Sequence, residues 1–164
     1  MRFSPRLRAI YDELLPGLPV ADLCCDHGYL GLNAYLSQHF PEIHFVDQVP
    51  QTMMVLENNF NQYFKNTLNL TQVNFTTSDA GKIQSILTGN VVIAGVGGKN
   101  MMRILDYLNQ FQILRPKRLI LSPHRHQELF EQSELFGLSH SHTRSVIEAG
   151  ITRPIFVFHD TMTS

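Results

Sequence analysis

The chain has 164 residues, of which 43% are hydrophobic and 16% are charged, and its formal net charge is −1. This length predicts one domain, residues 1–164, with its own hydrophobic core. The near-zero net charge excludes a broadly basic nucleic-acid-binding protein, but it is compatible with local basic patches on the surface. No stretch of about 18 apolar residues is present, so we expect no membrane span.

The N-terminus and the cysteines indicate where the protein works. Residues 1–6 contain no apolar segment of the kind found in signal peptides. The two cysteines, Cys24 and Cys25, are adjacent, and sequence neighbours make a poor structural disulfide. Both features favour a reducing, cytoplasmic setting.

Hydrophobic spacing and turn residues divide the chain into helices and strands. Helices are predicted over residues 5–15, 29–40, 50–64, 101–108 and 127–136. Strands are predicted over residues 19–24, 43–46, 72–76, 90–94, 118–121, 140–147 and 151–159. The first five strands alternate with helices, which predicts parallel pairing.

The last two predicted strands are separated only by Glu148, Ala149 and Gly150. A parallel crossover needs a dozen or more residues, so these two strands must form an antiparallel hairpin. We therefore predict an α/β fold with a mostly parallel, seven-stranded sheet and a C-terminal antiparallel hairpin. This ending is typical of Rossmann-like class I methyltransferases rather than of dehydrogenases.

The segment 20–32 carries the strongest functional signal, because an apolar strand ends in a polar loop that opens a helix. In doubly wound α/β folds this loop receives a nucleotide-like cofactor. The loop lacks the G-x-G-x-x-G spacing of dinucleotide enzymes and carries Asp26 and His27 where a phosphate cradle needs small residues. It therefore favours a cofactor without a pyrophosphate, such as S-adenosylmethionine.

Ligands of such folds bind beyond the carboxyl ends of the strands. Asp47 lies about 20 residues beyond the first loop, where an acid binds ribose hydroxyls, although it could instead serve only as a helix-entry residue. Asp79 could bind the adenine amino group or simply cap the following helix. The cofactor-binding candidates are Asp22, Cys24, Asp26, Gly28, Asp47, Gln48, Ser78, Asp79, Ala80 and Gly95.

Residues 95–99 form a glycine-rich turn that fails the P-loop pattern, because Ile93 and Asn100 occupy its leading glycine and its Ser/Thr positions. The turn is better explained as a close backbone approach to a ligand. The histidines at 124, 126, 140 and 142 lack a third ligand at a convincing spacing, so we predict no metal site. The two cysteines end a buried strand and fit packing better than nucleophilic chemistry.

Several segments resemble one family. Residues 20–30, V-A-D-L-C-C-D-H-G-Y-L, resemble the V-A-D-I-G-S-D-H-A-Y-L motif of the TrmK-type tRNA (adenine-N1)-methyltransferases. Residues 92–98, V-I-A-G-V-G-G, resemble their I-A-G-M-G-G block, and residues 3–7, F-S-P-R-L, resemble their L-S-x-R-L. Residues 119–123, L-I-L-S-P, match their L-I-L-Q-P.

The resemblance implies a Rossmann-like fold, S-adenosylmethionine as cofactor, and methylation of N1 of adenine 22 in tRNA. Two site residues depart from the family: Cys24 replaces its usual glycine, and Asp47 replaces its usual glutamate. Family members also carry a C-terminal helical extension that helps to hold tRNA. This sequence ends at Ser164, directly after the predicted hairpin, so we expect no such extension.

The expected chemistry is an in-line displacement that depends on alignment. Attack through N1 gives the adenine ring a positive charge, which a carboxylate stabilises. Asp26 is the predicted catalytic carboxylate, with His27 and Tyr29 shaping the pocket and Tyr29 stacking on the extruded base. Arg6, Gly97, Gly98 and Arg125 are the predicted RNA contacts. The alternatives are a small-molecule methyltransferase and a catalytically silent module that binds the cofactor or a partner.

The cations at 115–118 precede a strand and so should lie on the opposite rim from residues 124–126. They are equally well explained as solvated surface charge.

Overall fold

In the computed structural model, which describes residues 3–64 and 68–162, eight strands form one sheet. The strands are β1 (Val20–Leu23), β2 (Glu42–Asp47), β3 (Gln72–Thr77), β4 (Leu87–Ala94), β5 (Leu114–Ser122), β6 (Glu134–Leu135), β7 (Leu138–Glu148) and β8 (Ile151–His159). All four residues of β1 are buried, as expected for a central strand covered on both faces.

The strand order across the sheet is β3-β2-β1-β4-β5-β8-β7-β6. Strands β1 to β5 pair in parallel, whereas β8 is antiparallel to both β5 and β7, and β6 is antiparallel to β7. The predicted α/β class, with a mostly parallel sheet and a C-terminal antiparallel hairpin, is confirmed. The predicted count of seven strands is wrong, because the two-residue β6 adds an eighth strand at the edge.

Helices cover both faces of the sheet. They are α1 (Pro5–Asp12), α2 (Tyr29–Ser37), α3 (Pro50–Tyr63) and α4 (Gly98–Gln110), with short 3₁₀ turns at Ala80–Lys82 and Gln127–Phe130. Helices α1, α2 and α3 pack in one core cluster, whereas α4 and both 3₁₀ turns pack in the other. In α4 the buried residues Met101, Ile104, Leu105 and Leu108 follow helical spacing, which explains its orientation on the sheet. Within the described ranges, no helix has the length and hydrophobicity needed to cross a bilayer.

The helix predicted over residues 127–136 is wrong. The chain forms one 3₁₀ turn and then β6, whose Leu135 pairs with Leu138 of β7. Phe136 and Gly137 both have positive φ angles and make the tight turn between these strands. Phe130 is fully buried against Phe156, 5.9 Å between ring centroids. Pairing with the free edge of β7 and burial of Phe130 therefore override the local helical spacing.

The carboxyl ends of β1 to β5 meet at one edge of the sheet, because these strands are parallel. The β7–β8 hairpin extends past this edge. β8 pairs with β5 only from Phe156 to His159, so its first residues continue beyond Ser122 and pair with β7 alone. We call residues 144–155 the hairpin arm.

An ion cluster at the C-terminal end of α1 ties this helix to the last strands. Buried Glu13 lies 3.1 Å from Arg144, 3.0 Å from His142 and 3.9 Å from Arg118. Burial alone would raise the pKa of Glu13, but hydrogen bonds and charges from His142 and Arg144 lower it. We call these four side chains the Glu13 cluster.

Candidate functional site

A cavity of about 390 Å³ opens at the carboxyl edge of the sheet. This volume is within the range of roughly 300–1,000 Å³ typical of small-molecule sites. Most of the predicted site residues line it: Arg6, Asp22, Cys24, Asp26, His27, Tyr29, Asp47, Gln48, Ser78, Asp79, Ala80 and Gly95. Gly28, Gly97, Gly98 and Arg125 are not part of its wall.

The loop after β1 turns tightly through three left-handed residues, Cys24 (φ 58°), Asp26 (φ 49°) and Gly28 (φ 70°). A Cβ atom on Gly28 would lie 2.7 Å from Leu56 Cδ2 in α3, so this position has neither the conformation nor the space for a side chain. The Gly28 N–H donates to the Cys25 carbonyl, 2.8 Å away, and closes the turn. Gly28 thus shapes the loop from behind the cavity wall.

Asp47, at the end of β2, is held by backbone donors on both sides. Its Oδ2 accepts a hydrogen bond from the Asp26 N–H at 2.9 Å, and its Oδ1 accepts one from the Val49 N–H at 3.0 Å. Each carboxylate oxygen has two lone pairs and can therefore accept a second bond. Asp47 is a fixed carboxylate that both orders the first loop and offers acceptors to the cavity.

Asp22 lies in the floor of the cavity and is only 5% exposed. Its Oδ2 accepts a hydrogen bond from the Gly31 N–H at the start of α2, 3.1 Å away. Burial raises the pKa of Asp22 to about 7, and the nearby charge of Asp47 adds to this effect. A carboxyl group that changes charge near neutral pH therefore forms part of the site.

Asp79 follows β3 and caps the 3₁₀ turn, since its Oδ1 accepts the Gly81 N–H at 2.8 Å. The same oxygen accepts a hydrogen bond from Arg103 Nη2 at 3.0 Å. The hydrogen bond from Arg103 is the main reason that the pKa of Asp79 is lowered. Among the described residues, Oδ2 of Asp79 has no hydrogen bond or ion pair, so capping leaves one oxygen available to a ligand.

The three predicted catalytic residues lie together at the mouth of the cavity. The side chain of Asp26 is 73% exposed, and its Oδ1 is 3.8 Å from Nε2 of His27. The rings of His27 and Tyr29 are 5.8 Å apart, centroid to centroid, and are tilted by 38°. All three residues are exposed and line the cavity.

Arg6, Leu7 and His124 form another part of the wall, which the hairpin arm contacts through Glu148. Arg6 of α1 has a side chain only 15% exposed, and its Nε is 3.4 Å from Oε2 of Glu148. Its Nη1 lies 3.1 Å from Nε2 of His124. Burial lowers the pKa of His124, and the charges of Arg6 and Arg153 lower it further. His124 is therefore a neutral acceptor for Arg6 at this wall.

The glycine turn after β4 has mixed roles. Gly95 has a φ of 79° and borders the cavity. Gly98 donates its N–H to the Arg125 carbonyl at 2.8 Å, and a Cβ atom there would lie 2.5 Å from that oxygen. Gly98 thus packs α4 against the turn after β5, whereas Gly97 has open space around it. The side chain of Arg125 is exposed outside the cavity wall.

Three charged or polar wall residues, Asn100, Arg103 and His124, are absent from the predicted site residues. Arg103 has no local signal, because its partner Asp79 is 24 residues away in the chain. His124 could have been found, since it directly follows the residues that end β5.

The cysteines and histidines give no sign of metal or thiolate chemistry. Burial raises the pKa of Cys24 to about 12, and burial also raises that of Cys25. Both thiols are therefore protonated at neutral pH. Over residues 3–64 and 68–162, no group of three or more His, Cys, Asp or Glu side chains is arranged to hold a metal ion.

A family model described as a methyltransferase domain matches residues 3–135, which include every strand that borders the cavity. The chain belongs to this methyltransferase family. The predicted enzyme class is thereby confirmed. No curated protein sequence matches this methyltransferase.

Solved structures with the same fold have low sequence identity to this methyltransferase. The B. subtilis M1A22 tRNA methyltransferase TrmK matches with a TM-score of 0.82 and 19% identity, over 97% of this chain and 67% of that one. M. capricolum TrmK, in complex with S-adenosyl-homocysteine, matches with a TM-score of 0.79 and 16% identity, over 96% of this chain and 69% of that one.

The magnesium protoporphyrin IX methyltransferase ChlM from Synechocystis, with bound SAM, matches with a TM-score of 0.68 and 15% identity, over 95% of this chain and 75% of that one. At these identities the likeness concerns the fold, and the fold serves both an RNA and a small-molecule substrate.

Proposed function

We propose that this chain transfers a methyl group from S-adenosylmethionine to N1 of an adenine in tRNA. The observation that carries the proposal is the arrangement of three exposed groups, Asp26, His27 and Tyr29, at the mouth of a cavity whose inner wall holds Asp47 and Asp79. The inner acids suit a nucleoside, and the outer groups suit a second base. The motif resemblance and the similarity in fold to TrmK support tRNA as the substrate.

The cavity residues fit S-adenosylmethionine. The oxygens of Asp47, each with a free lone pair, would accept hydrogen bonds from the ribose hydroxyls, and Oδ2 of Asp79 would accept one from the adenine amino group. Arg6, a half-buried cation of the cavity wall, would meet the carboxylate at the amino-acid end. This assignment moves Arg6 from the RNA to the cofactor and leaves Arg125 as the exposed RNA contact.

When bound, S-adenosylmethionine supplies a methyl group on a positively charged sulfur, open to displacement by a nitrogen lone pair. The chain's part is to align the acceptor and to stabilise charge. Asp26 would stabilise the positive charge that the adenine ring gains on N1 methylation. Tyr29, which is partly exposed beside His27, would stack on the extruded base and hold it in line.

The proposal is tested by incubating the protein with S-adenosylmethionine labelled at the methyl group and unmodified bulk tRNA. Digestion to nucleosides should then yield labelled N1-methyladenosine. The matched control is Asp106→Asn, an exposed carboxylate of α4 outside the cavity, which should label tRNA as the parent does. Label in a different nucleoside, or none in RNA, would overturn the assignment of N1 of adenine.

A small-molecule substrate is the second candidate. It is favoured by the net charge of −1 and by the acids Asp26 and Glu148 near the cavity, which do not attract RNA phosphates. The test incubates the protein and labelled S-adenosylmethionine with a small-molecule extract of the cells that supply the tRNA. Label that appears in this extract, and not in the tRNA, would establish this candidate instead.

A further inference from the structure

Arg103 of α4 reaches across the cavity wall to the loop that follows β3. Its Nη2 donates to Asp79 Oδ1 at 3.0 Å, and its Nε donates to Asn100 Oδ1 at 2.9 Å. The guanidinium is therefore held at both ends, by a residue of its own helix and by Asp79. Its side chain is 49% exposed and borders the cavity.

The guanidinium lies in the space left by the missing side chain of Gly81, in the loop after β3. A Cβ atom on Gly81 would lie 2.5 Å from Arg103 Nη1, so only glycine lets the guanidinium lie directly against the 3₁₀ turn. Gly81 also donates its N–H to the same Asp79 oxygen that Arg103 contacts. The positions of the turn, the guanidinium and the carboxylate are thus fixed by one another.

The consequence falls on the other oxygen of Asp79. Oδ1 accepts two hydrogen bonds, from Gly81 and Arg103, and these fix the plane of the carboxylate. In the described chain Oδ2 has no partner. A fixed, charged acceptor is what an amino group of a purine needs in order to be distinguished from a hydrogen atom.

We propose that Arg103 is a positioning residue that sets the preference of the cofactor site for adenine over purines without a 6-amino group. This inference rests on the proposed function, because it requires that the cavity binds an adenine nucleoside. Arg103 acts through Asp79, and its own guanidinium need not touch the ligand. Lysine cannot replace it fully, since a single ammonium cannot bond Asp79 and Asn100 in the same planar geometry.

The test compares two ligands by calorimetry: S-adenosylhomocysteine and its analogue with hydrogen in place of the 6-amino group. The parent protein should bind the first about tenfold or more tightly than the second, as expected for a hydrogen bond to a charged acceptor. Arg103→Met should reduce this ratio to below about threefold, mainly by weakening S-adenosylhomocysteine. Arg103→Lys should give an intermediate ratio.

Lys99→Met is the matched control, because it removes an exposed cation of the same helix that does not border the cavity. It should keep the parent ratio. A second variant, Asp79→Asn, should also lower the ratio, and adding Arg103→Met to it should change the ratio little further, since both act on one contact.

The failures of the two proposals are distinguishable. If the parent protein binds neither ligand, the proposed function fails. Suppose that the parent distinguishes the two ligands, and that Arg103→Met keeps the same ratio of affinities while circular dichroism shows it folded. Arg103 then does not position the Asp79 carboxylate. Equal binding of both ligands by the parent would show that Asp79 does not read the amino group, and the inference would fall with it.

Discussion

Of the three left-handed residues in the loop after β1, only Gly28 is a glycine. Cys24 takes this conformation at the position where the resembling family has glycine. A left-handed non-glycine residue costs roughly 1–2 kcal/mol, so Cys24 stores strain beside the cavity. Asp26 has the same backbone conformation, which aspartate and asparagine tolerate better than alanine does. Substitution of Asp26 by asparagine therefore removes the charge and retains a residue that tolerates this backbone conformation.

Asp26→Asn is expected to lower the methyl-transfer rate by about 10²-fold or more, because the variant loses the charge that would stabilise the methylated base. S-adenosylmethionine affinity should stay within about threefold, since the Asp26 backbone N–H that holds Asp47 is retained. Single-turnover kinetics and calorimetry measure the two effects separately. Loss of affinity with an unchanged single-turnover rate would reverse the role given to Asp26.

Asp22 makes the stability of the ligand-free protein depend on pH. Its folded-state pKa of about 7 lies above the ordinary value of 3.8, so the folded state binds the proton more tightly than the unfolded state does. The protonated Asp22 adds about 4 kcal/mol to the free energy of unfolding below about pH 4, and this contribution is lost as the pH rises through about 7. Asp22→Asn removes this dependence and keeps an acceptor for the Gly31 N–H.

The expected result is a gap in unfolding free energy between Asp22→Asn and the parent, near zero at pH 4 and rising to a few kcal/mol in favour of the variant at pH 8. Chemical denaturation across this pH range measures the gap. Asp106→Asn, at an exposed position, should show no such trend. A gap that does not change with pH would mean that Asp22 does not titrate between these values.

For single residues, the sequence predicts a place in the cavity best where the residue lies at or just after the end of a strand. Asp47, Ser78 and Asp79 could be placed in the cavity because the carboxyl ends of parallel strands meet at one edge. Arg103 could not, because a helix position says nothing about a partner 24 residues away. The capping role and the ligand role of Asp79 could not be separated either, since its two oxygens differ only in the folded chain.

Among the elements, β5 separates two groups of cations by its direction. At its start, Lys117 bonds Asp160 at 2.9 Å and Arg118 donates to the Glu13 carbonyl at 2.8 Å, so these charges serve the fold. Beyond its end, Arg125 is exposed on the same edge as the cavity. The predicted placement of residues 115–118 on the opposite rim therefore agrees with the structure, whereas Lys117 and Arg118 are bonded within the fold rather than solvated.

Charge reversal separates the two edges. Arg125→Glu should weaken tRNA binding several-fold and make its salt dependence shallower by about one phosphate contact, a slope change of roughly 0.7 on single strands. Lys117→Glu should leave both nearly unchanged. Filter binding at several salt concentrations tests this. Equal effects at the two positions, or binding that ignores salt, would mean that RNA does not dock on the edge with the cavity.

Elements with their own periodic signal were predictable, and one that depends on a distant partner was not. The hairpin followed from a three-residue gap that allows no crossover. β6 has only two residues, and it is a strand solely because β7 offers an unpaired edge. No spacing within residues 127–136 reports that edge, so the local pattern alone predicts a helix there.

For the whole molecule, the alternation of strands and helices was enough to predict the sheet class but not the full order of its strands. The insertion of β8 between β5 and β7 follows from the antiparallel register of Leu121 with Phe156. That register also carries the hairpin arm past Ser122, so that Glu148 meets Arg6. The last hairpin of the chain thus contacts Arg6, a cavity-wall residue near the other end of the described chain.

The Glu13 cluster has a consequence for synthesis. Glu13 leaves the ribosome early, but Arg144 is 131 residues further along, so this ion pair cannot form until the last hairpin has been made. Arg6 sits on that same helix, and its partner Glu148 is made later still. The wall around Arg6 therefore gains its last contact only when the hairpin has been made.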